Sequence, residues 1–239
     1  MGKIILESDI KRDAYTEYVC DHYDIQDREK CITEVPMPSS EDMEALNADG
    51  EWNVLLICGN SGSGKSTVLN KAFKAPNCIS YDNDLACISQ FPKLSEEEAC
   101  DMFCGVGLSS VPTWLRKPSE LSNGERARLD LCKAIYGSNG DDLISIDEFT
   151  STVNRSAAKS MSFAFQRYLR QRNLRAVIAS CHFDIIEYLR PDYVFNLNKR
   201  DKDGNVEMEK MVYKDDEKYD EYLSVNGAEI LSEAMEMEG

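Results

Sequence analysis

A chain of 239 residues with 42% apolar side chains can bury a core as one α/β domain, and a formal charge of −16 disfavours nucleic acid or an anionic membrane as a default partner. The charge is uneven, with 14 acidic and 5 basic side chains in residues 1–52, 16 and 18 in 53–200, and 13 and 4 in 201–239. No apolar run approaches the ~20 residues of a membrane span, and Met1 to Asp13 are charged where a secretory leader is apolar, so a soluble, cytoplasmic chain without membrane insertion is expected.

The nine cysteines form no C-x-x-C pair, and only His22 and His182 stand ready to complete a metal site. Reduced, structural thiols are expected, with Cys100 and Cys104 at helical spacing.

In chain order, Lys3–Leu6 and Cys31–Val35 read as short strands within a turn-rich stretch, and 36–51 as a loop with at most one helical turn. Trp52–Cys58 is an apolar run ending at a glycine, the pattern of a buried parallel strand, and Ser66–Phe73 open a helix. Cys78–Tyr81 reads as a second short strand, and 95–104 as a helix capped by Ser95 with Glu98 three residues on. Gly124–Tyr136 is helical, Asp142–Ile146 a buried strand, Ala157–Arg170 a long helix and Arg175–Ser180 another strand. Tyr193–Leu197 and Val206–Tyr213 flank Asp203-Gly204, a hairpin signal, and the acidic tail from Asp215 reads as a helix. Alternating strands and helices imply a parallel sheet. A single α/β domain over 1–239 is expected: an N-terminal β portion (1–52), a catalytic core (53–200), and a hairpin with an acidic tail (201–239).

Gly59-Asn60-Ser61-Gly62-Ser63-Gly64-Lys65-Ser66 fits G-x-x-x-x-G-K-[ST], with the strand before it and the helix after it that a phosphate-binding loop requires. Glycines let backbone N–H groups wrap a polyphosphate at a helix N-terminus. Lys65 is expected on the β- and γ-phosphates and Ser66 on Mg²⁺, with Thr67 completing the set. Asp142 to Ile146 then delivers Asp147 as a Mg²⁺ ligand and Glu148 as the carboxylate that polarises the attacking water.

Four further features in sequence order make the chain resemble the ATP-binding-cassette (ABC) ATPases. Gln90, in Ile88-Ser89-Gln90-Phe91, resembles the Q-loop residue that senses Mg²⁺ and water. Leu121-Ser122-Asn123-Gly124-Glu125 resembles the LSGGQ signature, with Asn123 for a glycine and Glu125 for glutamine. Ser151-Thr152-Val153-Asn154 resembles the D-loop, with Asn154 for aspartate, and His182 follows its strand as the switch histidine does. Tyr23, with Tyr18 behind it, is the candidate to stack on adenine.

The stretches Gly105–Arg116, Asp147–Ser151 (with Phe149 for the usual proline) and Ser180–Ile185 resemble the branch of ABC ATPases fused to a predicted acetyltransferase, although no segment of that size remains here. The resemblance implies a P-loop NTPase fold with a mainly parallel central sheet, a small N-terminal antiparallel part and a reduced helical subdomain. It also implies ATP and Mg²⁺ as ligands, and an ATP-dependent homodimer in which Ser122, Asn123, Gly124 and Glu125 cap the partner's nucleotide. Only 31 residues separate Gln90 from Ser122, short for gripping a membrane partner, so a stand-alone ATPase is the first reading. The alternatives are a slow nucleotide switch that binds protein or nucleic acid, for which Arg167, Arg170, Arg172 and Arg175 form the one basic cluster, and a transporter subunit.

Overall fold

Five strands, four of them parallel, bring the chemically interesting loops to one edge of a sheet. The computed structural model describes residues 2–23, 30–74, 79–138, 143–202 and 204–211. Lys3–Asp9 (β1) and Lys30–Pro36 (β2) pair antiparallel as a separate small sheet. The central sheet holds Val54–Cys58 (β3), Ile144–Ile146 (β4), Ala176–Ser180 (β5), Tyr193–Asn196 (β6) and Met208–Lys210 (β7) in the order β4-β5-β3-β6-β7. All run parallel except β7, which returns beside β6 with Lys210 opposite Tyr193. The helices are Ala14–His22 (α1), Ser40–Ala48 (α2), Lys65–Phe73 (α3), Glu96–Gly105 (α4), Val111–Trp114 (α5), Asn123–Gly137 (α6), Arg155–Gln171 (α7) and Ile186–Leu189 (α8).

Every side chain of β3 is buried, as a central strand covered on both faces demands. Its alternate residues divide the core. Val54, Leu56 and Cys58 pack with Phe103 of α4, Leu129 of α6 and Phe165 of α7, whereas Leu55 and Ile57 pack with Val68 and Leu69 of α3 and Val35 of β2. The start of β3 is fixed by Asp192, whose Oδ2 accepts the N–H groups of Asn53 and Val54, both at 2.8 Å. Arg170 holds that carboxylate from the other side at 3.0 Å.

Three expectations need correction. Residues 14–22 are helical, not part of a strand-and-turn stretch, and α2 spans nine residues where a loop with one turn was expected. Both helices begin with a capping box, Asp13 with Thr16 and Ser39 with Asp42, that departs from the usual Ser/Thr-x-x-Glu/Gln spelling. Helix α1 buries no residue and is rich in tyrosine, so neither periodicity nor propensity announces it. Residues 79–81 form no strand; Tyr81 is tied instead by its hydroxyl to Asp130 of α6 at 2.6 Å, under the guanidinium of Arg126. The tail from Asp215, with Cys78, Asp142, Asp203 and the end of the last expected strand, lies outside the described residues. The helix at 96–105 has the expected Ser95–Glu98 box, and all eight cysteines among the described residues are free thiols.

Candidate active site

The register of the sheet assembles the site. Cys58 lies beside Ser180 and Ile146 beside Ile178, so β3, β4 and β5 end on one edge and release their loops together. A cleft of about 380 Å³ forms there, lined by Ser61, Gly62, Gly64, Lys65, Ser66 and Thr67 from one loop and by Asp147, Glu148, Ser151 and Cys181 from the others.

The loop before α3 is shaped by glycine where nothing else fits. Gly64, at φ +98°, is the N-cap of α3, and a Cβ there would come within 2.5 Å of Val35 Cγ1. At Gly59 a Cβ would lie 2.7 Å from Ser63 Oγ and 3.0 Å from Leu197. No side chain caps α3, which leaves its first-turn N–H groups to a ligand. Lys65 Nζ donates to the carbonyls of Gly59 (2.8 Å) and Asn60 (2.7 Å), a hold that sets the ammonium over the loop. Asn60 is braced in turn by Asn198, which accepts its N–H at 3.0 Å and donates to its side-chain oxygen at 2.9 Å. Nothing in the local sequence marks Asn198, 138 residues away.

The acidic turn after β4 is held in an uncommon backbone. Glu148 (φ +51°) and Thr150 (φ +69°) occupy the left-handed region, at a cost of about 1–3 kcal/mol each. Between them Phe149 is buried against Phe165, and its N–H donates to Ala179 O at 2.9 Å, a bond that proline cannot make. The Glu148 N–H donates to Asp147 Oδ1 at 2.9 Å, so the two carboxylates are oriented by one turn. Thr150 Oγ1 meets His182 Nδ1 at 3.0 Å, and the His182 N–H donates to Ser180 Oγ. Burial, followed by the charge of Arg155, holds the His182 imidazole below its ordinary pKa, which keeps it neutral at pH 7. Arg155, first residue of α7, grips Asp184 two residues beyond the histidine.

The Ser122 loop lies apart from this cleft. Ser122–Glu125 line a second cavity of about 430 Å³ with Arg128, Ala157 and Thr152–Asn154, and no residue is shared between the two. The two resemblance segments at 122–125 and 152–154 therefore meet, across Arg128, whose Nη1 donates to Gly124 O at 3.0 Å. Ser122 is the N-cap of α6 and forms a capping box with Glu125.

Two candidates fall elsewhere. Gln90 is buried outside both cavities, and its amide is consumed by the preceding turn: Nε2 donates to Asp82 O at 2.6 Å and Oε1 accepts the Asp82 N–H at 3.0 Å. Its amide thus closes that turn and does not line the cleft of Lys65 and Glu148. Tyr23 stands at the end of α1, 69% exposed, on a helix and not in the antiparallel sheet.

No protein-family model matches the sequence, and no curated protein does. Among solved structures, the ATP-binding cassette MJ0796, in a dimeric post-hydrolysis state bound to ADP and Pi, is 18% identical, covers 68% of this chain and 86% of its own, and superposes with a TM-score of 0.50. A dimeric structure of MJ0796 as a bacterial ABC transporter cassette, also 18% identical, covers 69% and 87% at a TM-score of 0.49. The cassette MJ1267 is 15% identical, covering 66% and 80% at 0.47. With its mainly parallel sheet, small antiparallel sheet and glycine-shaped loop between β3 and α3, the chain has the P-loop NTPase fold of the ABC cassettes.

Proposed function

We propose that the chain is an ATPase that binds Mg-ATP in the cleft, pairs head to tail with a second copy around it, and hydrolyses it to ADP and phosphate. The observation that carries this reading is the single cleft lined by Lys65, Ser66, Asp147 and Glu148. Loop N–H groups and Lys65 bind the polyphosphate. Among the described residues no group of three or more acidic, histidine or cysteine side chains is placed to hold a metal ion, yet Ser66 and Asp147 suit Mg²⁺, which keeps several waters and takes few protein oxygens beside phosphate. When bound, the ion neutralises charge on the phosphates. Glu148 orients the attacking water and accepts its proton, and neutral His182 donates a hydrogen bond to the γ-phosphate.

The separate cavity of Ser122–Glu125 supports the pairing, because a second anion-binding loop outside its own chain's cleft is suited to a neighbour's phosphate. MJ0796, a structural neighbour, is dimeric with ADP and Pi bound. Tyr23, an exposed aromatic residue ahead of the phosphate loop in the sequence, is the proposed partner of adenine. The basic cluster does not favour the nucleic-acid alternative: Arg170 pairs with Asp192, Arg172 with Asp101, and Arg175 lies over Trp52. Phosphate release from Mg-ATP tests the proposal. Wild-type turnover is expected to fall by at least about 100-fold in Glu148→Gln, and equal rates would reject the assignment.

A further inference from the structure

Ser122 is not an open donor. Its hydroxyl donates to Glu125 Oε2 at 2.7 Å, and its backbone N–H donates to the same oxygen at 2.9 Å. The return bond of the box, Glu125 N–H to Ser122 Oγ, is the long one at 3.4 Å. Glu125 Oε1 accepts the Thr113 hydroxyl at 2.9 Å, and Arg116 Nη1 lies 3.6 Å from Oε2. One carboxylate thus takes the hydroxyl and amide protons at the start of α6, the donors that a phosphate oxygen would use there. We propose that Glu125 is a self-supplied competitor for the partner's γ-phosphate: its carboxylate must release the Ser122 hydroxyl before the two copies can close on ATP. This inference rests on the head-to-tail reading and adds its regulation.

Three features support it. The Ser122 amide, then its hydroxyl, hold the Glu125 carboxyl below the ordinary range, so the competitor carries its charge at neutral pH. A phosphate brought to Ser122 meets that charge within hydrogen-bonding distance, and like charges so close disfavour binding. Thr113 and Arg116 flank the carboxylate and offer it a resting place once the serine is released. The result is a lock that only a well-placed polyphosphate opens, which discourages closure on a cleft that lacks a γ-phosphate.

Glutamine serves equally well in the third position of a capping box, so Glu125→Gln removes the charge and keeps the cap. The test places this change in the Glu148→Gln background and measures dimerisation with saturating Mg-ATP by analytical ultracentrifugation. The protein concentration at half-dimer is expected to fall on the order of tenfold, the worth of exchanging a charge-assisted bond for a neutral one, with a melting temperature slightly below that of the parent. An equal or higher midpoint overturns the Glu125 proposal and leaves the head-to-tail dimer standing. If neither protein dimerises, both readings fall.

Discussion

The phosphate loop and the Ser122 loop both lead into a helix, yet they are finished in opposite ways. Gly64 caps α3 with backbone alone and leaves that helix end to a ligand. Ser122 caps α6 with a reciprocal side-chain box, which engages its own hydroxyl and amide with Glu125. The first arrangement costs conformational freedom and leaves donors open to an anion; the second gains about 1 kcal/mol of helix stability and engages the Ser122 hydroxyl and amide. The contrast separates a site that is ready from one that is conditional. It is the physical reason to expect nucleotide binding by a single copy and closure only around a γ-phosphate.

The sharpest way to break this contrast is Lys65→Ala. Without the ammonium that we propose bridges the β- and γ-phosphates, ATP affinity is expected to fall at least about 100-fold by calorimetry. Unchanged affinity would mean that the cleft is not the nucleotide site. Next in size, Ser122→Arg is expected to stop phosphate release almost completely while a single copy binds ATP as before. Normal turnover would reduce the Ser122 loop to a helix cap.

Asn198→Ala sharpens the picture of the ready site. Loss of the two bonds to Asn60 should loosen the loop by about 1–2 kcal/mol and weaken ATP binding roughly tenfold without touching the nucleotide. An unaltered dissociation constant would show that the glycines shape the loop unaided. The smallest effect is a pH dependence at His182. The fold lowers its pKa, so below about 6.5 the unfolded chain takes a proton there that the folded chain refuses. Stability should therefore fall as pH drops from 7.5 to 5.5, and His182→Gln should remove part of that fall. Parallel melting curves for the two proteins would contradict the burial argument.

Much of this was legible in advance, for reasons that differ between residues. The strand at 54–58 and the helix at 123–137 stood out because burial on both faces and a capped start leave short-range patterns. The phosphate loop stood out because glycine at fixed spacing is itself the mechanism. The surroundings of Gln90 were not legible, because its place in sequence order says nothing about the bonds its amide makes with Asp82. Asn198 and the Thr150–His182 contact left no trace, since each joins residues far apart in sequence. Helix α1 escaped notice because it buries nothing and so has no core-facing stripe to detect.

The central claim is that one copy supplies the cleft and its twin supplies the cap. Light scattering on Glu148→Gln, with and without Mg-ATP, tests it most directly. The account predicts a monomer without nucleotide and a dimer of twice the mass with Mg-ATP; ATP bound at full occupancy by a protein that stays monomeric would contradict it.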